Sequence, residues 1–214
     1  MTLSPAPLSH RERQALCDLL LEVGPDAPTL CEGWDAADLA AHLVLRERRP
    51  DAAVGILVRP LAGYEEKVRH GLREQPFPQL VRTLRAGPPV WSPFGLPGVE
   101  PRVNGSEFFV HHEDVRRARP GFQPRELAAS DEATLWTVLR RMGRLLFRHA
   151  TVGVVLRRPD AASLRVRAGA PEVTLVGAAS ELLLYAFGRG EQARVQIEGD
   201  EAAKARFAAT PLSV

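Results

Sequence analysis

A mainly α-helical chain is the fold class this sequence predicts, with a helical bundle over residues 1–150 and a small α+β module over 151–214. Two observations predict it. Through the first 150 residues apolar side chains recur every three or four positions, the period of one helix face. Beyond residue 150 the pattern changes to short valine- and leucine-rich runs separated by glycine, proline and aspartate, which read as strands. The length, 214 residues, suits one large domain or a domain with a small appendage.

The elements follow in order. Ser9 and Glu12 have the spacing of a capping box, and Leu16, Leu19, Leu20 and Val23 continue at helical spacing until Gly24-Pro25 ends the helix. Asp35 caps a second helix, with Asp38 in its first turn and Leu39, His42 and Leu43 on one face; Pro50 falls after its arginine-rich end. Further helices are predicted around 51–58, 60–73 and 77–86. Residues 87–103 are rich in proline and glycine and hold Trp91 and Phe94, so they form a long loop, either a lid over a site or a segment pinned to the core. Asn104 caps a helix to about Ala118. Another runs from Asp131 to His149, capped by Ser130 or Asp131, with Leu135, Val138, Leu139, Met142, Leu145 and Leu146 as its buried face. The module then reads as strands at 152–156, 164–167, 173–176 and 195–198, an apolar helix at 177–188, and a last short helix opened by Asp200.

Composition excludes several classes of function. Apolar residues make up 45% and charged residues 25%, as in ordinary globular proteins. No run approaches the roughly 18 apolar residues of a membrane helix, and the N-terminus lacks a secretory pattern, so no membrane role and a cytoplasmic location are expected. The net charge is +2, with arginine far more frequent than lysine (only Lys67 and Lys204). The basic clusters at 46–49, 116–117 and 140–141 lie among acids and lack interleaved aromatics, so no nucleic-acid partner is expected. Two cysteines, Cys17 and Cys31, make neither a disulfide framework nor a cysteine zinc motif. Cys17 sits on an apolar stripe and is read as core; Cys31 lies in a loop near the candidate site.

That site comes from two separated segments, 33–43 and 104–114. Glu107 and His111 are four residues apart and share a helix face, and His42 on another helix completes a two-histidine, one-carboxylate set with coordination positions to spare. Such donors suit zinc, nickel, iron or manganese. Asp114, three residues beyond His111, lies on the same side as a ligand or as an orienting group, and a weak candidate for catalysis. His112 is turned about 100° away from His111 and is not expected to serve. Arg46, four residues after His42, is a second weak candidate, holding a substrate carboxylate; a solvated helix-end role is the preferred reading. Each ligand also has a plain alternative: His42 as a satisfied core histidine, and Glu107 and His111 as a surface pair.

These residues carry a resemblance. Thr29-Leu30-Cys31-Glu32-Gly33-Trp34, followed by Asp38-Leu39-Ala40-Ala41-His42-Leu43, resembles the N-terminal domain of the mycothiol-dependent maleylpyruvate isomerase family, within the DinB/YfiT-like metal-binding superfamily. Glu107-Phe108-Phe109-Val110-His111, with Asp114 and Ala118, is similar to the second ligand motif of that family, and Arg46 to Ala52 looks closer still to an actinobacterial-type subfamily of uncharacterised metal-binding proteins. Residues 175–184 with Gly188-Arg189 are similar to the strand-helix-Gly-Arg segment of the family's C-terminal module, although no thiol-binding residue maps onto it one by one. The resemblance covers most of residues 8–150. It implies an up-and-down four-helix bundle whose metal ligands are His42, Glu107 and His111, with zinc as the metal.

The leading functional expectation is therefore a metal-assisted, thiol-dependent transferase or isomerase. Its partners would be a low-molecular-weight thiol and a small-molecule substrate, on a monomer or homodimer. A metal-dependent hydrolase and a non-enzymatic metal- or ligand-binding protein are the alternatives.

Overall fold

A computed structural model describes residues 6–53, 55, 59–92, 100–210 and 212, with residues 59 and 100–103 described by backbone alone. The chain divides into two compact units, Met1–Pro124 and Arg125–Val214.

The first unit is helical. Its main elements are α1 (Leu8–Val23), α2 (Ala36–Arg48), a short α3 (Pro50–Ala53), α4 (Ala62–Arg73), α5 (Phe77–Arg85) and α6 (Glu100–Arg117). The predicted amphipathic faces are what bring them together. Leu16 and Leu20 of α1, Leu39 and Leu43 of α2, Leu80 and Leu84 of α5, and Phe108 and Val115 of α6 form one buried cluster. α1 packs along α6 and α5, while α2 packs against α4 and α5. Burying a leucine side chain contributes about 2 kcal/mol, so this shared face holds the unit together.

Asp35 caps α2 as expected: its Oδ1 accepts from the Asp38 N–H at 2.9 Å. Two other caps expected in this unit are corrected. α1 starts at Leu8 behind Pro7, with no side-chain cap, and Ser9 and Glu12 lie inside the helix. Glu12 instead turns to His112 of α6, Oε2 to Nδ1, at 2.7 Å. α6 starts at Glu100, so Asn104 is an interior residue with partners on another helix. The loop predicted over 87–103 is correspondingly shorter at its C-terminal side, and Phe94 lies outside the described residues.

The second unit holds α7 (Ala129–Leu146), β1 (Gly153–Arg157), β2 (Ser163–Arg167), β3 (Glu172–Val176), α8 (Ala179–Ala186), β4 (Gln196–Glu198) and α9 (Glu201–Ala208). The strands form one sheet in the order β2-β1-β3-β4. β1 and β3 are parallel with Val154 opposite Val173 and Leu156 opposite Leu175, while the β1–β2 and β3–β4 pairs are antiparallel. Those four apolar side chains are fully buried, as alternation along a strand demands. α7 packs against α8 and β2. Sequence composition draws the unit boundary at 150, where the strands begin; packing draws it at 124, before α7.

α7 starts after Ala128 with no side-chain cap, so neither Ser130 nor Asp131 caps it. Its Glu132 reaches α8 instead, accepting from the backbone N–H and hydroxyl of Ser180 at 3.0 and 2.6 Å and so satisfying a free donor of that helix start. Leu145, expected on the buried face, is 53% exposed, while Trp136 takes a buried position. Asp200 does open α9, accepting from the Ala203 N–H at 2.6 Å. Among the described residues, no helix is long and apolar enough to cross a membrane.

Candidate metal centre

The candidate site lies wholly within the helical unit, where side chains of α2 and α6 meet. A turn before α2 prepares one side of it. Thr29 Oγ1 donates to the Trp34 carbonyl at 2.8 Å and accepts from the Cys31 N–H at 3.1 Å. Gly33 takes φ +75°, a conformation that glycine adopts without a Cβ clash. The Leu30 N–H donates to the carbonyl of Asp114 at 3.1 Å, seating this turn on the C-terminal half of α6. Trp34 then lies beside His42, with ring centroids 5.0 Å apart.

His42, Glu107 and His111 converge. His42 Nε2 is 3.8 Å from Glu107 Oε1, and His111 Nε2 is 3.3 Å from the same oxygen. One donor atom from each residue can be chosen such that all lie within 4.8 Å of one another. Donors bound at about 2.0–2.2 Å to a shared tetrahedral ion sit roughly 3.3–3.6 Å apart, so these separations need little movement to accept one. The rings of His42 and His111 meet edge to face at 5.5 Å. The other nitrogen of His42, Nδ1, is buried with no hydrogen-bond partner among the described residues. A buried polar atom without a partner is costly, so internal hydrogen bonding does not explain why this imidazole is held here. Two imidazoles and a carboxylate, all largely buried, fit a borderline divalent cation.

The electrostatics are uneven across the three. Burial pulls His42 below its ordinary value against the opposing pull of Glu107, which keeps its ring neutral. Burial also works against charge on Glu107, but the His111 and His42 rings beside it and the Arg46 charge outweigh it, holding the carboxyl well below the usual carboxylate range. His111 is the reverse: burial disfavours its charge, yet Asp114, Cys31 and Glu107 together hold it well above the usual histidine value.

Asp114 stands behind His111, its Oδ2 2.9 Å from Nδ1. A carboxylate there fixes the ring orientation with Nδ1 turned outward, so Nε2 is the nitrogen that faces Glu107 and would supply a lone pair to a metal. Arg46 is not a solvated helix-end residue. Its Nε lies 3.6 Å from Glu107 Oε1, and its guanidinium donates to Asn104 Oδ1 at 2.5 Å, with only 13% of the side chain exposed. Asn104 in turn donates to Glu47 Oε1 at 3.1 Å, and Glu47 is held by Arg13 through two bonds of 2.6 Å. A chain of hydrogen-bonded charged and polar groups thus backs the Glu107 side, as burial of charged groups requires. Nothing local in the sequence signals the Glu47–Asn104 link; the cap-like spacing of Asn104 hides it.

His112 faces away, toward Glu12 of α1. Cys17 is fully buried and Cys31 half-buried; Cys31 Sγ lies 3.2 Å from Asp114 Oδ2 and 3.9 Å from His111 Nδ1. Ser92 Oγ donates to the Glu47 carbonyl at 2.6 Å, which pins the described part of the proline-rich segment to the end of α2. Its neighbour Trp91 is 64% exposed.

This architecture matches two solved structures. One is the crystal structure of the mycothiol-dependent maleylpyruvate isomerase, with a TM-score of 0.57 and 17% identity over 90% of this chain and 91% of that chain. The other is a histidine-to-alanine mutant of that enzyme, with a TM-score of 0.53 and 19% identity over the same shares. The chain has the fold of the mycothiol-dependent maleylpyruvate isomerase. No family model and no curated protein matches the sequence. Coverage of nine-tenths of both chains means that the isomerase fold takes in the α+β module as well as the helices that carry His42, Glu107 and His111.

Proposed function

We propose that this protein is a metal-assisted, thiol-dependent enzyme, an isomerase or S-transferase, with zinc held by His42, Glu107 and His111 on a DinB/YfiT-like four-helix bundle. The observation that carries the reading is the convergence of those donors on Glu107 Oε1, at 3.8 and 3.3 Å, on a fold shared with an enzyme named for its dependence on mycothiol.

A divalent cation with open coordination positions lowers the pKa of a bound thiol and so supplies a nucleophile at neutral pH. The chain's own residues prepare the place. Asp114 holds His111 with Nε2 directed inward. His42, kept neutral by burial, offers its lone pair without first losing a proton. Arg46 balances the Glu107 charge, its Nε near the same oxygen that the two histidines face, and is placed to attract the carboxylate of a small substrate. Trp34 walls the His42 side with an apolar ring.

The test is an assay of zinc-loaded protein on maleylpyruvate, with mycothiol and with no thiol. Turnover that needs the thiol and disappears in His42→Ala is the expected result. Hydrolysis of a simple ester or amide without thiol would move the protein to the hydrolase class. Tight zinc binding with no turnover and no exchangeable position would make it a binding protein.

A further inference from the structure

His111 presents its two ring nitrogens to two different groups of donors. Nε2 faces Glu107. Nδ1 faces Asp114 Oδ2 at 2.9 Å and Cys31 Sγ at 3.9 Å, and the sulfur and the carboxylate oxygen are 3.2 Å apart. We propose that Cys31, His111 Nδ1 and Asp114 form an alternative metal site, which takes a thiophilic divalent cation such as cadmium or zinc through the Cys31 sulfur.

The geometry supports it in three ways. First, a tetrahedral cation about 2.3 Å from sulfur and about 2.0–2.1 Å from nitrogen and oxygen spaces its donors roughly 3.3–3.6 Å apart. The three observed distances bracket that range. Second, the donors are held in place. Asp114 is fully buried and His111 nearly so, while the Leu30 N–H bond to the Asp114 carbonyl and the Thr29 turn fix Cys31 against α6. Third, the donor types differ from those of His42, Glu107 and His111 in one respect that selects a cation: they include a sulfur, which favours soft metals.

Binding is a displacement that balances in protons. The Cys31 S–H bond breaks and its proton leaves to solvent as the metal–sulfur bond forms, and the Nδ1 proton shared with Asp114 is released to solvent, leaving a neutral ring with its proton on Nε2. A neutral imidazole has one lone pair, so metal on Nδ1 and metal on Nε2 are alternatives. A thiophilic cation at Cys31 therefore withdraws His111 from the first set of donors. The inference shares His111 with the proposed function but does not need that reading to hold, because His42 and Glu107 take no part.

The experiment is titration of the full-length apo protein with cadmium, following the near-ultraviolet thiolate-to-cadmium charge-transfer absorption. Wild type and His42→Ala should both develop the band, and Cys31→Ser should lose it. Cys31→Ala serves as a second variant, with far-ultraviolet circular dichroism to establish that each variant is folded. No band in wild type, or persistence of the band in both Cys31 variants, overturns the proposal. Loss of the band in folded His42→Ala also overturns it, since the sulfur would then be joining the first set of donors. If zinc-loaded protein still turns over with thiol while cadmium gives no band, only this inference falls.

Discussion

His111 Nδ1 lies 2.9 Å from Oδ2 of Asp114, three residues further along the same helix, and Asp114 is fully buried. The pair sets which nitrogen of His111 faces Glu107, and so sets the geometry of the candidate centre. Asp114→Asn keeps the shape of the side chain and removes its charge. Zinc affinity should fall by about 10- to 100-fold, the usual cost of losing such a partner, as measured by competition with a chromogenic chelator. Unchanged affinity would reduce Asp114 to a packing role.

Adjacent histidines should separate metal binding from stability. His111→Ala should abolish tight metal binding and His112→Ala should not, because His112 is turned to Glu12 on α1. His112→Ala should instead lower folding stability by about 1–3 kcal/mol, the cost of removing one partner of a buried hydrogen-bonded group. Glu107→Gln should lose metal while remaining folded. Elemental analysis and denaturant melts of the three proteins check this.

The pH dependence of metal binding follows from His111. Its pKa is held well above the ordinary histidine value, so the apo protein at neutral pH carries a proton that the metal must displace. His42 is shifted the other way and is already neutral. Zinc binding near neutrality should release about one proton from this set, and affinity should weaken as pH falls. Calorimetry in buffers of different ionisation enthalpy measures the release. Binding with no proton release would contradict the electrostatic picture.

The two cysteines should differ in reactivity. Burial pushes the Cys17 thiol up to about 11, and its side chain is fully enclosed. Cys31 is half-buried. Alkylation of the native protein with iodoacetamide should modify Cys31 alone, and both cysteines after denaturation, as read by peptide mass spectrometry.

In the second unit, Gly143 of α7 is a contact point with the sheet. A Cβ at this position would come to 2.5 Å from Val166 Cγ1 on β2. Gly143→Ala should therefore destabilise the protein by about 1–3 kcal/mol through overpacking, even though alanine is favoured over glycine in a helix by about 1 kcal/mol. A rise in melting temperature would show that β2 yields freely.

Periodicity and local chemistry made the helices and strands legible. Asp35 and Asp200 cap the helices they precede because capping there is decided within three residues. The convergence of His42 with Glu107 and His111 followed from helical spacing together with a family resemblance. Where expectation failed, a partner distant in sequence had taken over a local pattern. Glu12 and Asn104 have capping-box spacing but are used by His112 and by Arg46 and Glu47. Arg46 reads as solvated until Asn104 and Glu107 are placed beside it. The apolar face of α7 marks it as a helix without naming its neighbours, so composition could not show that it packs on α8 and β2.

The most direct measurement is X-ray absorption at the zinc edge of zinc-loaded Cys31→Ser protein, with and without mycothiol. Removing Cys31 leaves the added thiol as the source of sulfur at the metal. Without thiol the shell should contain nitrogen and oxygen donors only; with saturating thiol a sulfur should enter it at about 2.3 Å. A zinc shell that stays free of sulfur at saturating mycothiol would contradict a thiol-dependent metal centre built on His42, Glu107 and His111.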